Sequence, residues 1–224
     1  MIIGISGMIS AGKSTLVESL KKLYPRSLFL AEFEEEDEIF NTFLKWLYEK
    51  KPHLTMSFQT YVVESHSAKF HNILKKFVEE ELDPIYDYIF LDRFAIEHYI
   101  FAYLNLLPSG EKYLNAYDSL FSKMIFEDEI PDYAIYLDVT YEKFVERIKN
   151  RGRDVEIANF NLNESYFQQL HAIYKPKFEE LARKYKIPYT IIDTTYLDHQ
   201  GVLDKTVAIL KIISDAKKIQ FNKI

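Results

Sequence analysis

The sequence predicts a three-layer α/β/α fold in which a five-stranded parallel sheet carries helices on both faces. Three observations predict it. Short apolar runs at residues 2–5, 28–31, 88–92, 133–139 and 188–193 alternate with helical stretches, the order that gives parallel strands joined by crossover helices. The first run passes through a glycine-rich turn straight into a helix, the usual opening of such a unit. No repeat, low-complexity stretch or linker interrupts the 224 residues, so 1–224 is expected to form one domain.

Composition narrows the partners. A chain of this length buries about 70% of its unfolded surface, and a hydrophobic content of 48% can fill that core. The net charge of −6 argues against a nucleic-acid polymer, whose binders carry a basic field. With no cysteine there is no disulfide, thiolate metal site or cysteine nucleophile. The strand at residue 2 leaves no space for a secretory leader, and no run approaches the roughly 18 apolar residues of a membrane span. The expectation is a cytoplasmic protein with no membrane partner.

Along the chain, residues 13–23 read as a helix with Leu16, Leu20 and Leu23 on one stripe and Pro25 closing it. After the strand at 28–31 comes an acidic run, residues 32–38, most of it the solvated start of the helix at 39–49. Glu32 stands apart because it sits at the C-terminal end of a strand, where open α/β sheets place ligand groups. A long helix is expected at 56–82. Residues 96–107 and 113–128 read as helices separated by the turn Pro108-Ser109-Gly110. From Tyr141 a helix carries Arg147, Arg151 and Arg153. The helix at 163–186 is expected to bend at Pro176, and 202–221 forms an amphipathic terminal helix.

The chemistry centres on the spacing G-x-x-x-x-G-K-[ST], from Gly7 through Met8, Ile9, Ser10 and Ala11 to Gly12, Lys13 and Ser14, followed by Thr15. Backbone amides of such a loop and the positive end of the next helix form a seat for a triphosphate. Lys13 is placed to reach the β- and γ-phosphates, and Ser14 to bind Mg²⁺. Asp92 ends an apolar strand, which suits a second Mg²⁺ ligand, and Arg93 adds a cation beside the phosphates. Asp138 also ends a strand and lacks that arginine. The segment of about 147–159 suits a hinged lid whose arginines close over a phosphoryl group. A GTPase is disfavoured: Asp198-His199-Gln200-Gly201 fits D-x-x-G only after the fourth α/β unit, and no N-K-x-D follows a strand. Phosphoryl transfer to a small acceptor needs a carboxylate near the hydroxyl, Mg²⁺ ligands and arginines at the γ-phosphate. Glu32, Ser14 with Asp92, and Arg147 with Arg151 and Arg153 fill those roles.

On these residues the chain resembles the deoxynucleoside kinase family, from the phosphate loop to about Phe178. The loop is similar to the family's, and Glu32 has the spacing from Lys13 of the base that deprotonates the sugar 5′-hydroxyl. Tyr48 and Gln59 match the tyrosine that holds the 3′-hydroxyl and the glutamine that reads the base. Asp92-Arg93 matches the [ED]-R-[ST] motif, with Phe94 in place of Ser or Thr. Arg147, Arg151, Arg153 and Glu156 match R-x-x-x-R-G-R-x-x-E, whose glutamate is a second 3′-hydroxyl ligand. The arginine and aspartate that relatives set on the base edge fall here on His66 and His98, which suggests a broadened or shifted base preference. The resemblance implies an ATP- and Mg²⁺-dependent deoxynucleoside kinase of nucleotide salvage, a homodimer built on a helix pair. The apolar helix at 96–107 is the candidate surface. Alternatives are a thymidylate or other nucleoside-monophosphate kinase, whose Asp-Arg-aromatic sequence 92–94 imitates, and a non-kinase ATP-binding module.

Overall fold

In the computed structural model, which describes residues 1–31, 37–49, 51, 53–150 and 160–221, the sheet is organised around β1 (Ile2–Gly7). Its neighbours are β3 (Ile89–Asp92) and β4 (Tyr133–Asp138), with β2 (Leu28–Leu30) and β5 (Tyr189–Asp193) outside them. The order is β2-β3-β1-β4-β5, all parallel. Ile3 and Ile5 are fully buried because both sides of β1 are covered. The register pairs Ile5 with Asp92, Gly7 with Leu137 and Asp138 with Asp193, so the chain leaves every strand along one edge.

Right-handed crossovers decide which helix covers which face. The connection from β1 to β2 runs one way across the sheet, and those from β2 to β3, β1's other neighbour β4 and finally β5 run the other way. Accordingly α1 (Lys13–Leu23) packs with the last helix, α8 (His199–Phe221). In the other layer, α4 (Ala95–Leu106) packs between α3 (Thr55–Glu79) and α7 (Glu164–Lys184). The remaining helices are α2 (Glu38–Tyr48), α5 (Glu111–Met124) and α6 (Tyr141–Asn150).

Several boundaries differ from the sequence expectation for local reasons. α2 starts because the Asp37 carboxylate accepts from the Phe40 amide at 2.8 Å, so this acidic residue is a cap rather than a solvated charge. It also accepts from the Tyr61 hydroxyl at 3.0 Å, tying α2 to α3. α8 begins three residues early, where Asp198 accepts from the Gly201 amide at 2.8 Å. α5 ends at Met124 instead of 128, since Ile125 turns extended and a separate 3₁₀ turn, Glu127–Glu129, follows. α7 continues through Pro176, whose ring nitrogen has no hydrogen for the Ala172 carbonyl.

Two features mark the helix after β3. Phe94 is fully buried and packs on β1: a Cβ on Gly4 would sit 2.5 Å from its ring, so the aromatic residue and the glycine suit each other. The apolar side of α4 is also consumed inside the chain, with Ile96, Ile100, Ala102, Leu104 and Leu106 buried. Tyr99, Phe101 and Tyr103 of the same helix stay half-buried. The arginine-rich lid beyond Asn150 lies outside the described residues.

Candidate active site

The site grows from the turn after β1. Gly7 has φ 144°, and a Cβ there would lie 2.5 Å from the Leu137 carbonyl oxygen of β4, so glycine is required on both counts. Gly12, at φ 104°, supplies the left-handed residue that starts α1. Lys13 folds back over the loop, and its Nζ donates to the carbonyls of Gly7 at 2.9 Å and Met8 at 3.1 Å. This ammonium is almost wholly buried, the placement a phosphate-binding cation needs. The Ser14 hydroxyl donates to Asp92 Oδ2 at 3.4 Å, which brings the two expected metal ligands together. Asp138, which ends β4 as Asp193 ends β5, accepts from Lys175 at 2.5 Å and is thereby neutralised on the far side of β1.

Arg93 departs from the expected picture. Its φ of 69° is left-handed, uncommon for a bulky residue, and it turns the side chain inward so that only 2% is exposed. Its backbone amide donates to Ile5 at 3.1 Å. Nη1 donates to the Gly7 carbonyl at 3.4 Å, to Glu97 Oε1 at 3.3 Å and to the Tyr174 hydroxyl oxygen, while the guanidinium carbon lies 5.0 Å from the Phe101 ring centre. Glu97 also accepts from the Gly7 amide at 3.1 Å, so that amide faces a carboxylate instead of the seat. Burial pushes the Glu97 carboxyl above its usual range, and the Arg93 charge opposes this. Nothing in local sequence spacing marks Tyr174. Glu97 is legible only as the i+4 partner of Arg93.

Among the described residues, a cavity of about 290 Å³ lies behind Met8, and two others lie on either side of Ile9 and Ser10. The larger, about 400 Å³, is lined by Ser10, Gly12 and Thr15 from the loop, Arg147 from α6, and Thr194 and Asp198 after β5. The smaller, about 240 Å³, is mostly apolar, with Ile9, Phe40 and Phe58 among its walls and Gln59, His98 and Asn105 as polar groups. Ile9 faces one cavity and Ser10 the other, so the loop is the wall between them. Arg147 lines the larger cavity beside the loop. It donates to the carbonyls of Ser10 at 3.3 Å, Ala11 at 3.2 Å and Thr194 at 2.6 Å, bracing the outer side of the loop. Glu32, Arg151, Arg153 and Glu156, and the side chain of Tyr48, lie outside the described residues.

His66 and His98 meet edge to face with ring centres 4.9 Å apart. His98 lines the smaller cavity, whereas His66 packs behind it and hydrogen-bonds the Arg93 backbone. His66 therefore supports the left-handed turn and is not among the cavity walls, contrary to its expected place at the base edge. Burial lowers His66 to about 4 against that hydrogen bond, and burial with the neighbouring His66 and Arg93 takes His98 well below its ordinary value. Both rings fold neutral. In the unfolded chain they take up protons near pH 6.5, so between there and about pH 4 the unfolded state binds more protons and stability falls as pH falls. For His66 alone, lowered to about 4, the loss across that window is about 3 kcal/mol. Glu97, shifted upward, offsets part of it. The melting temperature should drop from about pH 7.5 to about pH 5, and drop less in His66→Gln. Equal drops in both proteins would exclude His66 as a source.

A phosphate loop between two cavities, on a five-stranded parallel sheet, is the frame of a P-loop nucleotide-binding fold. The chain belongs to the deoxynucleoside kinase family, whose model matches residues 3–217. It is 30% identical over 220 residues to an uncharacterized protein of Mycoplasma genitalium, covering 96% of this chain and 89% of that one. It is 29% identical to the deoxyguanosine kinase of Lactobacillus johnsonii, covering 94% and 92%. Among solved structures, deoxyadenosine kinase from M. mycoides with bound dATP superposes with a TM-score of 0.70 at 25% identity, over 94% of this chain and 100% of that one. A thymidylate kinase from Candida albicans shares the fold, with a TM-score of 0.65 at 18% identity over 94% of this chain and 91% of that one.

Proposed function

We propose that this protein transfers the γ-phosphoryl group of ATP to the 5′-hydroxyl of a 2′-deoxynucleoside in nucleotide salvage. The observation that carries the reading is the loop as a shared wall. A triphosphate on Ser10, Gly12 and Thr15 extends toward Lys13, and an acceptor in the cavity walled by Ile9 and Gln59 meets it from the other side. The named relatives, deoxyguanosine and deoxyadenosine kinases, support the acceptor class.

Ser14 and Asp92 fit Mg²⁺: two hard oxygen donors face each other beside the loop, and phosphate and water oxygens complete such a shell. When bound, the ion neutralises phosphate charge. Lys13 holds the β- and γ-oxygens, Arg93 adds fixed positive charge next to the loop, and Glu32 takes the acceptor's proton. Gln59 offers an amide donor and acceptor to the base, and neutral His98 presents no fixed charge. Arg151 and Arg153 close over the phosphoryl group, while Tyr48 and Glu156 hold the 3′-hydroxyl. The protein works in the cytoplasm as a homodimer.

The monophosphate-kinase alternative is weaker on one point. Among the described residues no Lys or Arg lines the smaller cavity, and an acceptor that already carries a phosphate needs one. ADP formation measured over the four deoxynucleosides, the four ribonucleosides and thymidylate tests the reading. The expected result is turnover that requires a 2′-deoxynucleoside and exceeds that with ribonucleosides about tenfold or more, because a site built around a sugar discriminates through its polar contacts. Turnover only with the monophosphate would favour the alternative, and none with any acceptor would overturn kinase activity on small nucleosides.

A further inference from the structure

Glu97 and Tyr174 belong to none of the motifs, yet they meet beneath the phosphate loop. Glu97 is fully buried one helical turn after Arg93, and its Oε1 accepts from the Gly7 amide at 3.1 Å, from Arg93 at 3.3 Å and from the Tyr174 hydroxyl at 2.6 Å. Tyr174, from the middle of α7, is buried as well and accepts from Arg93. Both polar groups of Gly7 are engaged: the amide by Glu97, the carbonyl by Lys13 at 2.9 Å and Arg93 at 3.4 Å.

Such a cluster is costly if stability were its only role. A buried ion pair rarely improves on an apolar replacement of the same volume. Arg93 also sits in a left-handed backbone conformation, which is strained for a residue with a Cβ. What the arrangement supplies is fixed geometry. An arginine side chain loses rotamer freedom when held, and holding it before the reaction removes that cost from the barrier.

We propose that Glu97, seconded by Tyr174, is a positioning residue that locks Arg93 and the Gly7 peptide groups into one unit, keeping this cation and the wall of the phosphate loop in register for phosphoryl transfer. The proposal rests on the kinase reading above. Glu97 touches no substrate and acts through Arg93 and Gly7.

The test compares E97Q, Y174F, R93K and E97Q/R93K. Expected for E97Q is a kcat lower by about tenfold or more, with KM for ATP and nucleoside within about threefold and the melting temperature within about 5 °C. Y174F, which keeps the ring, lowers kcat by about three- to tenfold and carries the test if E97Q fails to fold. Because Glu97 works through Arg93, the double variant is no slower than R93K alone within about twofold. A kcat within about twofold of wild type in both E97Q and Y174F, or losses that multiply in the double variant, overturns the proposal. Amide exchange needs no substrate, so it separates this failure from failure of the kinase reading. Exchange across residues 5–10 and 91–95 rises about tenfold in E97Q or Y174F with α8 unchanged. Unchanged exchange there overturns the lock even if wild-type protein phosphorylates no nucleoside.

Discussion

Lys13→Met should lower kcat/KM for phosphoryl transfer by about 10³-fold while leaving the protein folded. The ammonium lies against the Gly7 and Met8 carbonyls, at 2.9 and 3.1 Å, in a nearly closed setting, where a positive charge acts with far less screening than in water. Methionine matches the length and apolar body of the stem, so packing is kept and the charge alone is lost. Stability has less to lose, since burying the ammonium carries a desolvation cost that the variant no longer bears. One side effect follows from the geometry. The Lys13 charge helps hold the Glu97 carboxyl down against burial, so the variant should shift Glu97 further toward its neutral form and loosen its hold on Arg93. The measurement is steady-state turnover with ATP and the best acceptor, with ATP affinity titrated separately. Turnover within about tenfold of wild type would remove Lys13 from the chemistry.

The sheet was legible because each strand is a short apolar run bounded by polar or glycine residues, and burial on both faces writes that pattern locally. Helix ends were less legible where side-chain caps decide them. Asp37 and Asp198 look like members of polar stretches, and only their hydrogen bonds to Phe40 and Gly201 make them boundaries. Glu127 and Asp128 read as the tail of a helix, yet with Glu129 they form a separate turn in which Glu129 is buried.

In the site, the loop is encoded by one contiguous motif, whereas Asp92 and Gln59 are brought beside it from separate elements. Residues whose role depends on direction could not be read from the sequence. Arg93 belongs to a legible dipeptide, but its left-handed backbone sends the guanidinium down into Glu97 and Tyr174. His66 sits seven residues after Gln59 on the same helix, and its ring still ends up behind His98 because α4 supplies the nearer wall. Tyr174 lies 81 residues from Arg93 in sequence, brought there by the packing of α7 on α4. Such pairings are properties of the assembled layers.

Glu32→Gln is the sharper test of the chemistry. β2 pairs with β3 as far as Leu30 opposite Leu91, one position short of Asp92, so the chain leaves β2 at the edge where Gly7 and Asp92 also emerge. Glu32 follows β2 by two residues in sequence, and a carboxylate is the group that would accept the 5′-hydroxyl proton as the oxygen attacks. The substitution preserves shape and hydrogen-bonding capacity and removes the basicity. Turnover should fall by about 10²-fold or more, with nucleoside affinity within about threefold, because general-base catalysis acts on the transition state and not on ground-state binding. The split between kcat and KM matters most, for a residue that merely shaped the acidic surface would move neither. The pH profile gives an independent check. If Glu32 is the base, kcat in the wild type declines on the acid side as the carboxylate protonates, and Glu32→Gln loses that limb while keeping any acid loss that comes from unfolding. Near wild-type turnover in Glu32→Gln, or an unchanged acid limb, would return Glu32 to the solvated acidic run and leave the acceptor hydroxyl without a base.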